Sequence, residues 1–386
     1  MDSIIDQIQA LAHTSDEVGR LEIQRALREV QMEMQTSKDL IYNLANSQLL
    51  LGCIRLGADL KLFRIIASQN GSVAVSQLAK TTQASPLLLE RLLRYLASNS
   101  MIKEIGLNEY QANKNTHILA EEKGEAMVYH GFDFHAPIVS AMPDFFKEND
   151  YQDIASNKNT PFQKAYNTTL SPFEWFVQHP KHFESLQKVM TALEGAEWTV
   201  GFDLLDLAAK HVPFTSPQAS EKPFFVDVGG GHGHQCIQLG KKYPNLLGHL
   251  VLQDLPAAVD KLPLIEGVKA EAYNFFQKQP VTGAKFYYLR RIIHDWPDKE
   301  CTEILQNTAD AMDADSRILI DDVVLPDTGA LWQATMADIS MMIGLGGKER
   351  TVQQWHALAD SAGLRVEQIH TYAASTYTSI VVLAPK

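Results

Sequence analysis

Residues 224–256 read FFVDVGGGHGHQCIQLGKKYPNLLGHLVLQDLP, and this stretch decides the fold. Residues 224–228 form a short apolar run that leads into glycines, and residues 233–242 carry apolar side chains at helical spacing. A second apolar run, residues 248–253, is closed by Asp254. The order strand, glycine loop, helix, strand and acid is the opening unit of a nucleotide-type binding fold.

The spacing of the glycines indicates which nucleotide this unit binds. A dinucleotide fingerprint needs a glycine three places after its second one, where this chain has His234, and the loop reads G-x-G-x-G instead. S-adenosylmethionine carries no phosphate, so it needs only close approach of the backbone, with Asp254 accepting hydrogen bonds from the ribose hydroxyls. A glycine-rich turn in an ordinary α/β domain is the alternative. The flanking strands and the spaced acid favour S-adenosylmethionine.

Composition narrows the classes of function. The 386 residues are enough for two domains, and the formal charge of −12 argues against nucleic-acid binding, which needs surplus lysine and arginine. Three scattered cysteines form neither a disulfide framework nor a zinc site, which indicates a reducing compartment. No secretory signal or bilayer-spanning apolar stretch is evident. We therefore expect a cytoplasmic protein without a nucleic-acid or membrane partner.

The first third of the chain is predicted to be mainly helical. Residues 3–34 carry an incomplete apolar stripe, typical of one amphipathic helix that lies on its own subunit or on a partner. Residues 40–67 are more apolar and predict a buried helix. Residues 73–112 read as a winged helix-turn-helix, whose second helix, residues 86–97, offers many leucines but only Arg91 and Arg94 as cations. This pattern favours a packing or dimerisation module over DNA binding.

Histidines and aromatic residues cluster between residues 121 and 200. Residues 121–153 are predicted to be helical and place His130, Phe134 and His135 close together. Such a histidine is usually a satisfied core or surface residue, and the alternative is a role in a pocket. Residues 161–200 are rich in large aromatic side chains, among them Phe176, which either fill a core or line a pocket for a flat apolar substrate.

After the opening unit, short apolar strands alternate with helices. The predicted strands are residues 268–272, 285–289, 317–324, 365–371 and 377–383, and the predicted helices are residues 298–312 and 351–362. This pattern predicts an α/β fold with a doubly wound, mostly parallel sheet, in which ligands bind at the carboxyl ends of the strands.

Polar residues at these strand ends carry the candidate chemistry. One strand leads to His294 and Asp295, the next is predicted to end at Asp322, and a later glycine loop contains Glu349. Methyl transfer to a phenol or enol oxygen needs a base for the hydroxyl proton, and histidine has a suitable pKa near neutral pH. A carboxylate on the far imidazole nitrogen fixes the tautomer, and Asp322 and Glu349 are candidates for this role.

The chain from about residue 40 onward resembles the plant- and fungal-type S-adenosylmethionine-dependent O-methyltransferases, of the caffeate and sterigmatocystin kind. The motifs DVGGGHG, QDLP, FYYLR, HDWPD and GGKERT stand in the family's order. The resemblance implies a helical and winged-helix dimerisation domain, residues 1–120, and a catalytic domain, residues 121–386. The Rossmann-like class I methyltransferase core, with a seven-stranded sheet, would begin at about residue 195. A homodimer and no metal are also implied.

The resemblance also assigns the site residues. His294 would be the general base, with Asp322 and Glu349 as its supporting acids, and Asp295 is a further predicted catalytic residue. S-adenosylmethionine would contact Gly229, Gly230, Gly231, Gly233, Asp254, Leu255, Asn274, Phe275 and Arg290. Within that set, Asp254 would bind the ribose, Asn274 and Phe275 the adenine, and Arg290 the methionine end. The small-molecule substrate would contact His130, Phe134, Phe176, Arg291 and Met341.

Two positions depart from the family's pattern. Asn274 stands where an acid is usual, although its amide oxygen still accepts a hydrogen bond from the adenine amine. Asp322 stands where a glutamate is usual, so its carboxylate reaches His294 less far.

These departures resemble fungal O-methyltransferase-like pericyclases of the leporin type. The resemblance implies that such enzymes keep S-adenosylmethionine as a bound charge while they dehydrate and cyclise a quinolone or pyridone alcohol. His294 argues for retained methyl transfer, because the leporin type replaces that base by arginine. A third class, an idle S-adenosylmethionine-binding protein, gives no reason for His294, Asp322 and Glu349 to stand at three separate strand ends. The sequence therefore favours methyl transfer to an aromatic or polyketide-derived fungal metabolite.

Overall fold

A computed structural model describes residues 2–192, 197–212 and 222–386 of the chain. Its contacts divide the chain into two units. The first consists of Met1–Pro143 and Ala165–Glu194, and the second of Asp144–Lys164 and Gly195–Lys386. Residues 121–143 lie in the first unit, and the domain boundary at residue 120 stays a prediction.

The first half of the chain is mainly helical. Its helices are α1 (Asp2–Thr14), α2 (Glu17–Met34), α3 (Ser37–Asp59), α4 (Leu62–Ala67), α5 (Val75–Thr82), α6 (Pro86–Ser98), α7 (Lys114–Ala120), α8 (Glu122–Tyr129), α9 (Ala136–Glu148), α10 (Pro161–Tyr166), α11 (Pro172–Gln178) and α12 (Pro180–Ala192). A π-helical turn, His130–His135, joins α8 to α9.

The single amphipathic helix predicted over residues 3–34 is wrong, because the chain forms two helices there. α2 begins at Glu17, and the Asp16 side chain caps it by accepting a hydrogen bond from the Gly19 N–H at 2.8 Å. An aspartate cap satisfies an N–H group that the first helical turn leaves open, so it stabilises a new helix start.

The predicted buried helix over residues 40–67 is only partly correct. In the single chain, Leu40, Ile41 and Leu44 of α3 are 51%, 66% and 67% exposed, and only Gly57 and Ala58 of that helix are buried. The apolar side chains of α4, in contrast, lie in the core of the first unit. Packing within the chain therefore accounts for the second half of α3, where Cys53 and Ile54 contact the core, but not for the exposed apolar side chains of its first half.

The winged helix-turn-helix predicted over residues 73–112 is present. α5 and α6 are followed by a hairpin of β2 (Lys103–Gly106) and β3 (Glu109–Gln111), and β3 also pairs with β1 (Val73–Ala74). The buried side of α6 consists of Leu89, Leu92, Leu93 and Leu96. This spacing directs one apolar stripe into the core, as the packing interpretation requires.

The second unit contains the predicted doubly wound sheet. Its strands are β4 (Phe225–Val228), β5 (Leu250–Asp254), β6 (Val268–Ala272), β7 (Phe286–Arg290), β8 (Arg317–Leu325), β9 (Arg350–Thr351), β10 (Leu364–Ala373) and β11 (Thr378–Pro385). The main order is β10-β11-β8-β7-β4-β5-β6, and β9 pairs with β8. The pairs from β6 to β8 are parallel, and β11 joins β8 and β10 antiparallel. This confirms the predicted fold class.

Helices cover both faces of this sheet. They are α13 (Asp203–Lys210), α14 (His234–Lys242), α15 (Pro256–Val259), α16 (Asp298–Ala309), α17 (Trp332–Leu345) and α18 (Val352–Ser361). One core includes buried residues of α16 and α18, and the other includes buried residues of α13 and α14. The central strands β4, β5, β7 and β8 read as near-continuous apolar runs because they are buried on both sides, whereas β6 and β10 are partly exposed.

Among the described residues, none of the helices has both the length and the apolar character needed to cross a bilayer.

Replacement of Trp198 by alanine should lower the free energy of unfolding by about 3–5 kcal/mol. The Trp198 ring is fully buried, stacks on Tyr288 with centroids 4.6 Å apart, and donates its Nε1–H to the Gln235 side chain at 2.6 Å. Urea denaturation measures the change, with Leu264→Ala as control because Leu264 is 98% exposed. Equal stability of the two variants would contradict this packing.

Candidate active site

The candidate catalytic residues meet beside β7 and β8 in the second unit. His294 and Asp295 lie in a 3-10 turn, Ile293–Asp295, shortly after β7. β8 continues to Leu325, close to the predicted bounds of 317–324, so Asp322 lies within the strand and not at its end. Glu349 directly precedes β9, and the pairing of β9 with β8 brings this glutamate to the same edge of the sheet.

His294 is held between two carboxyl groups. Its Nδ1 lies 2.9 Å from Oε1 of Glu349, and its Nε2 lies 3.4 Å from Oδ1 of Asp295. The side chains of His294, Asp295 and Glu349 are only 13%, 15% and 2% exposed. A neutral imidazole that donates Nδ1–H to Glu349 therefore keeps its Nε2 lone pair available as a proton acceptor.

The acids around His294 favour its protonated form. Burial alone would lower the pKa of His294, but the negative charges of Glu349, Asp295 and Asp322 outweigh it and raise the pKa to about 9. Burial also opposes the charge of Glu349, yet the attraction of His294 prevails and lowers the pKa of that carboxyl. The resting pair is therefore an imidazolium and a carboxylate, and the histidine must lose a proton before it can act as a base.

Asp322 is a fully buried acid whose two oxygens find no hydrogen-bond partner among the described residues. Burial raises its pKa to about 7, although the nearby His294 opposes the rise. Burial likewise raises the pKa of Asp295 to about 6. The short side chain of Asp322 therefore acts on His294 through its charge and makes no hydrogen bond to it.

Two loops lie against each other at this site. The backbone N–H of Lys348 donates to the His294 carbonyl oxygen at 3.0 Å. A Cβ placed on Gly347 would lie 1.9 Å from that same oxygen, so only glycine permits this approach. The tight contact explains why glycines precede Glu349 in the motif GGKERT.

The glycine loop after β4 orients the acid at the end of β5. The Gly231 N–H donates to Oδ2 of Asp254 at 2.8 Å, and the Leu255 N–H donates to Oδ1 at 2.7 Å. Gly233 has a φ of 76°, and a Cβ on it would lie 2.5 Å from Cδ1 of Ile265. Glycine at this position therefore lets the loop pack tightly against its own unit, and Asp254 still has lone pairs for ribose hydroxyls. These features fit S-adenosylmethionine.

The other residues predicted to bind this cofactor lie on nearby strands and loops. The Asn274 side-chain oxygen already accepts a hydrogen bond from the Phe276 N–H at 3.1 Å, and its amide nitrogen remains available as a donor. The Phe275 ring packs against Phe276 and Trp296. Gly229 and Gly230 donate their N–H groups to the carbonyl of the residue before Asp254.

Arg290 is engaged by a buried polar cluster. Its Nη1 donates to Oδ2 of Asp321 at 3.0 Å, and this fully buried carboxylate also accepts the hydroxyls of Tyr288 and Tyr372. The Arg290 side chain is 23% exposed. Contact with the methionine end of the cofactor stays a prediction.

Three of the predicted substrate residues lie together in the first unit. The Phe134 ring stacks on His130 with centroids 5.0 Å apart and packs against Phe176 at 4.7 Å. Burial, and then the neighbouring His135 and His182, lower the pKa of His130 to about 4. The π-helical turn therefore presents a neutral imidazole within an aromatic cluster.

The remaining two predicted substrate residues lie in the second unit. Arg291 follows β7 with a φ of 53°, and its Nη2 donates to Oγ1 of Thr378 at 3.3 Å. Such a conformation is uncommon outside glycine. Met341 lies on α17, and its carbonyl accepts the Gly347 N–H at 3.3 Å. Met341 therefore supports the loop that carries Glu349 through its backbone.

Two residues that support the site are missing from the sequence-based prediction. Oδ1 of Asp338, on α17, accepts the backbone N–H of Glu349 at 2.9 Å. Arg350 is a buried arginine that contacts the loop of His294. The only sequence signal for Arg350 is its position within GGKERT. In the described part of the chain, no cluster of histidine, cysteine and acidic residues has the geometry to hold a metal ion.

Comparison with known families gives two matches. Residues 149–365 match the O-methyltransferase domain, and residues 42–118 match the O-methyltransferase dimerisation domain.

Similar proteins extend over the whole chain. Demethylsterigmatocystin 6-O-methyltransferase of Aspergillus flavus is 38% identical over 386 residues, which is 100% of this chain and 98% of that protein. The O-methyltransferase lepI of the same fungus is 39% identical and covers 98% of this chain, with 97% of that protein covered. The structure of LepI in complex with SAM has a TM-score of 0.90 at 38% identity, covering 100% of this chain and 98% of the other.

Replacement of Glu349 by glutamine should lower the pKa of His294 from about 9 towards its ordinary value of 6.5. Glutamine keeps a hydrogen-bond acceptor at Nδ1 and removes the charge that favours the imidazolium. NMR titration of histidine-labelled protein measures the pKa, with the signal assigned from a His294→Gln variant. Glu367→Gln is the control, because Glu367 pairs with Arg317 elsewhere in the same unit. An unchanged pKa in Glu349→Gln would contradict the pairing.

Proposed function

The chain belongs to the O-methyltransferase family, and we propose that it methylates a hydroxyl of an aromatic or polyketide-derived fungal metabolite with His294 as general base. The observation that supports this most directly is the buried contact of 2.9 Å between His294 Nδ1 and Glu349 Oε1. It provides an oriented imidazole whose second nitrogen can accept a proton.

S-adenosylmethionine is the cofactor, as the glycine spacing predicts. The family match and a relative solved with this cofactor confirm it. We propose that the loop at Gly229–Gly233 approaches it, that Asp254 accepts its ribose hydroxyls and that Arg290 meets its methionine end. When bound, the cofactor supplies an electrophilic methyl group on a sulfonium centre.

The roles of the chain's own residues follow from the charges around His294. The neutral imidazole accepts the hydroxyl proton of the substrate at Nε2, and the resulting imidazolium is stabilised by Glu349, Asp295 and Asp322. Glu349 holds the proton on Nδ1, which fixes the tautomer and the orientation of the ring. The three acids thus stabilise the form of His294 that proton transfer produces.

We further propose that the enzyme acts as a homodimer. The dimerisation-domain match covers residues 42–118, which include much of α3, and the apolar side chains of α3 are exposed in the single chain. A second copy would remove that apolar surface from water.

Replacement of His294 by alanine should lower methyl transfer by about 10²–10⁴-fold, the usual contribution of a general base. The assay incubates the dimer with methyl-labelled S-adenosylmethionine and a fungal metabolite extract, and follows the label in the organic phase together with S-adenosylhomocysteine. Calorimetry should show that cofactor affinity is retained. His356→Ala is the matched control, because His356 is exposed on α18. Full transfer by His294→Ala would eliminate the histidine as base.

A second candidate is dehydration and pericyclic ring closure without methyl transfer. The similarity to LepI supports it, because a LepI-type structure that covers 100% of this chain is described as a pericyclic reaction enzyme. His130 supports it as well, since a neutral buried imidazole in an aromatic cluster can exchange a proton with an alcohol.

The same incubation separates the two candidates. Consumption of a quinolone or pyridone alcohol with intact cofactor would establish the second activity, and His130→Ala should then slow dehydration by about 10²-fold or more. His117→Ala is the control, because His117 is exposed on α7. An unchanged dehydration rate in His130→Ala would remove His130 from that mechanism.

A further inference from the structure

Arg350 is a charged side chain in the interior of the second unit. The residue is 1% exposed, although its partner Asp298 is 57% exposed at the side chain. Burial of a guanidinium is costly unless its donors are satisfied and its charge is balanced. The contacts of this arginine therefore show which part of the structure its guanidinium holds in place.

The guanidinium donates to backbone oxygens on both sides of the proposed base. Nη1 lies 3.1 Å from the Ile293 carbonyl oxygen, and Nη2 lies 3.2 Å from the Trp296 carbonyl oxygen. These two carbonyls flank His294 and Asp295 in the chain. One planar group thus holds the turn at its beginning and at its end.

Other contacts anchor the same guanidinium. Nε and Nη2 both donate to Oδ1 of Asp298, at 3.1 and 2.7 Å, and Nη2 also lies 3.3 Å from the Cys301 sulfur. The guanidinium carbon lies 5.5 Å from the centre of the Trp355 ring. These partners fix Arg350 against α16 and α18, so the turn that it holds is fixed as well.

We infer that Arg350 is a positioning residue that sets the contact between His294 and Glu349, an inference that rests on the proposed role of His294 as base. Arg350 follows Glu349 directly in the chain, and its side chain fastens the backbone that carries His294. The two members of the pair come from segments 55 residues apart. Arg350 ties these segments together by a route separate from the pair itself.

The shape of the guanidinium matters more here than its charge. Arginine offers five N–H donors in a rigid planar fork, which can reach two carbonyls and a carboxylate at once. Lysine has the same charge on a single flexible ammonium and cannot reproduce this set of contacts. The substitution Arg350→Lys therefore separates positioning from electrostatics.

The charges near His294 give the sign of the expected change. Glu349, Asp295 and Asp322 raise the pKa of the imidazole, and the cation Arg291 faces the same three acids. A looser turn increases the distance to Glu349 and lowers the pKa of His294. Loss of the cationic charge of Arg350, without movement, would instead raise that pKa.

The test is an NMR titration of His294 in full-length Arg350→Lys. We expect the pKa of His294 to fall by about one unit, while calorimetry with S-adenosylmethionine shows an affinity within about threefold of the original chain. Arg317→Lys is the control, because Arg317 makes a comparable forked pair with Glu367 in the same unit. An unchanged or raised pKa of His294 in folded Arg350→Lys, which keeps the positive charge, would overturn the inference.

A second variant covers the case in which Arg350→Lys does not fold. Asp298→Glu keeps the negative charge and displaces the carboxylate that anchors the arginine, so it should lower the pKa of His294 in the same direction by a smaller amount. No change in that variant would overturn the inference. The titration does not depend on methyl transfer, so failure of His294 as the base would be seen in the methyl-transfer assays and not in this titration.

Discussion

The contact between His294 Nδ1 and Glu349 Oε1, 2.9 Å long and shielded from water, is the interaction on which the rest of the site depends. Its two members come from different loops, and each loop follows from the sheet. His294 lies in the turn after β7, and the short pairing of β9 with β8 places Glu349 beside it. A buried charge pair is stable only when geometry and neighbours suit it. The surrounding hydrogen bonds therefore keep these two loops aligned.

Much of this architecture could be predicted from the order of the motifs. The glycine loop, the acid at Asp254 and the histidine after FYYLR follow apolar runs, and parallel strands bring their carboxyl ends to one edge. The support around His294 could not be predicted in the same way. Arg350 acts on backbone carbonyls, which leave no residue pattern, and the break before α2 depends on a single cap at Asp16. The exposure of α3 could not be predicted either, because apolar composition does not show whether a helix is covered by its own chain.

The two departures from the family's pattern have different consequences. The oxygen of Asn274 accepts a hydrogen bond within its own turn, so part of its capacity is already used. Asp322 retains its position in β8, but its carboxyl oxygens make no hydrogen bond among the described residues, and burial raises its pKa to about 7. The loss of one methylene therefore leaves a charge effect on His294 without a direct contact. Related chemistries on one sheet can differ through such small changes, because function depends on the site and not on the fold.

The pH dependence of single-turnover methyl transfer at saturating S-adenosylmethionine tests the central claim most directly. The resting imidazolium of His294 has a pKa of about 9, so the rate should rise with pH as the proton is lost and should level off in the alkaline range. The rising limb should move to lower pH in Glu349→Gln, which distinguishes the histidine from an ionising substrate hydroxyl. A rate that stays level from about pH 6 to about pH 10, or a limb that Glu349→Gln leaves in place, would contradict the assignment of His294 as the base.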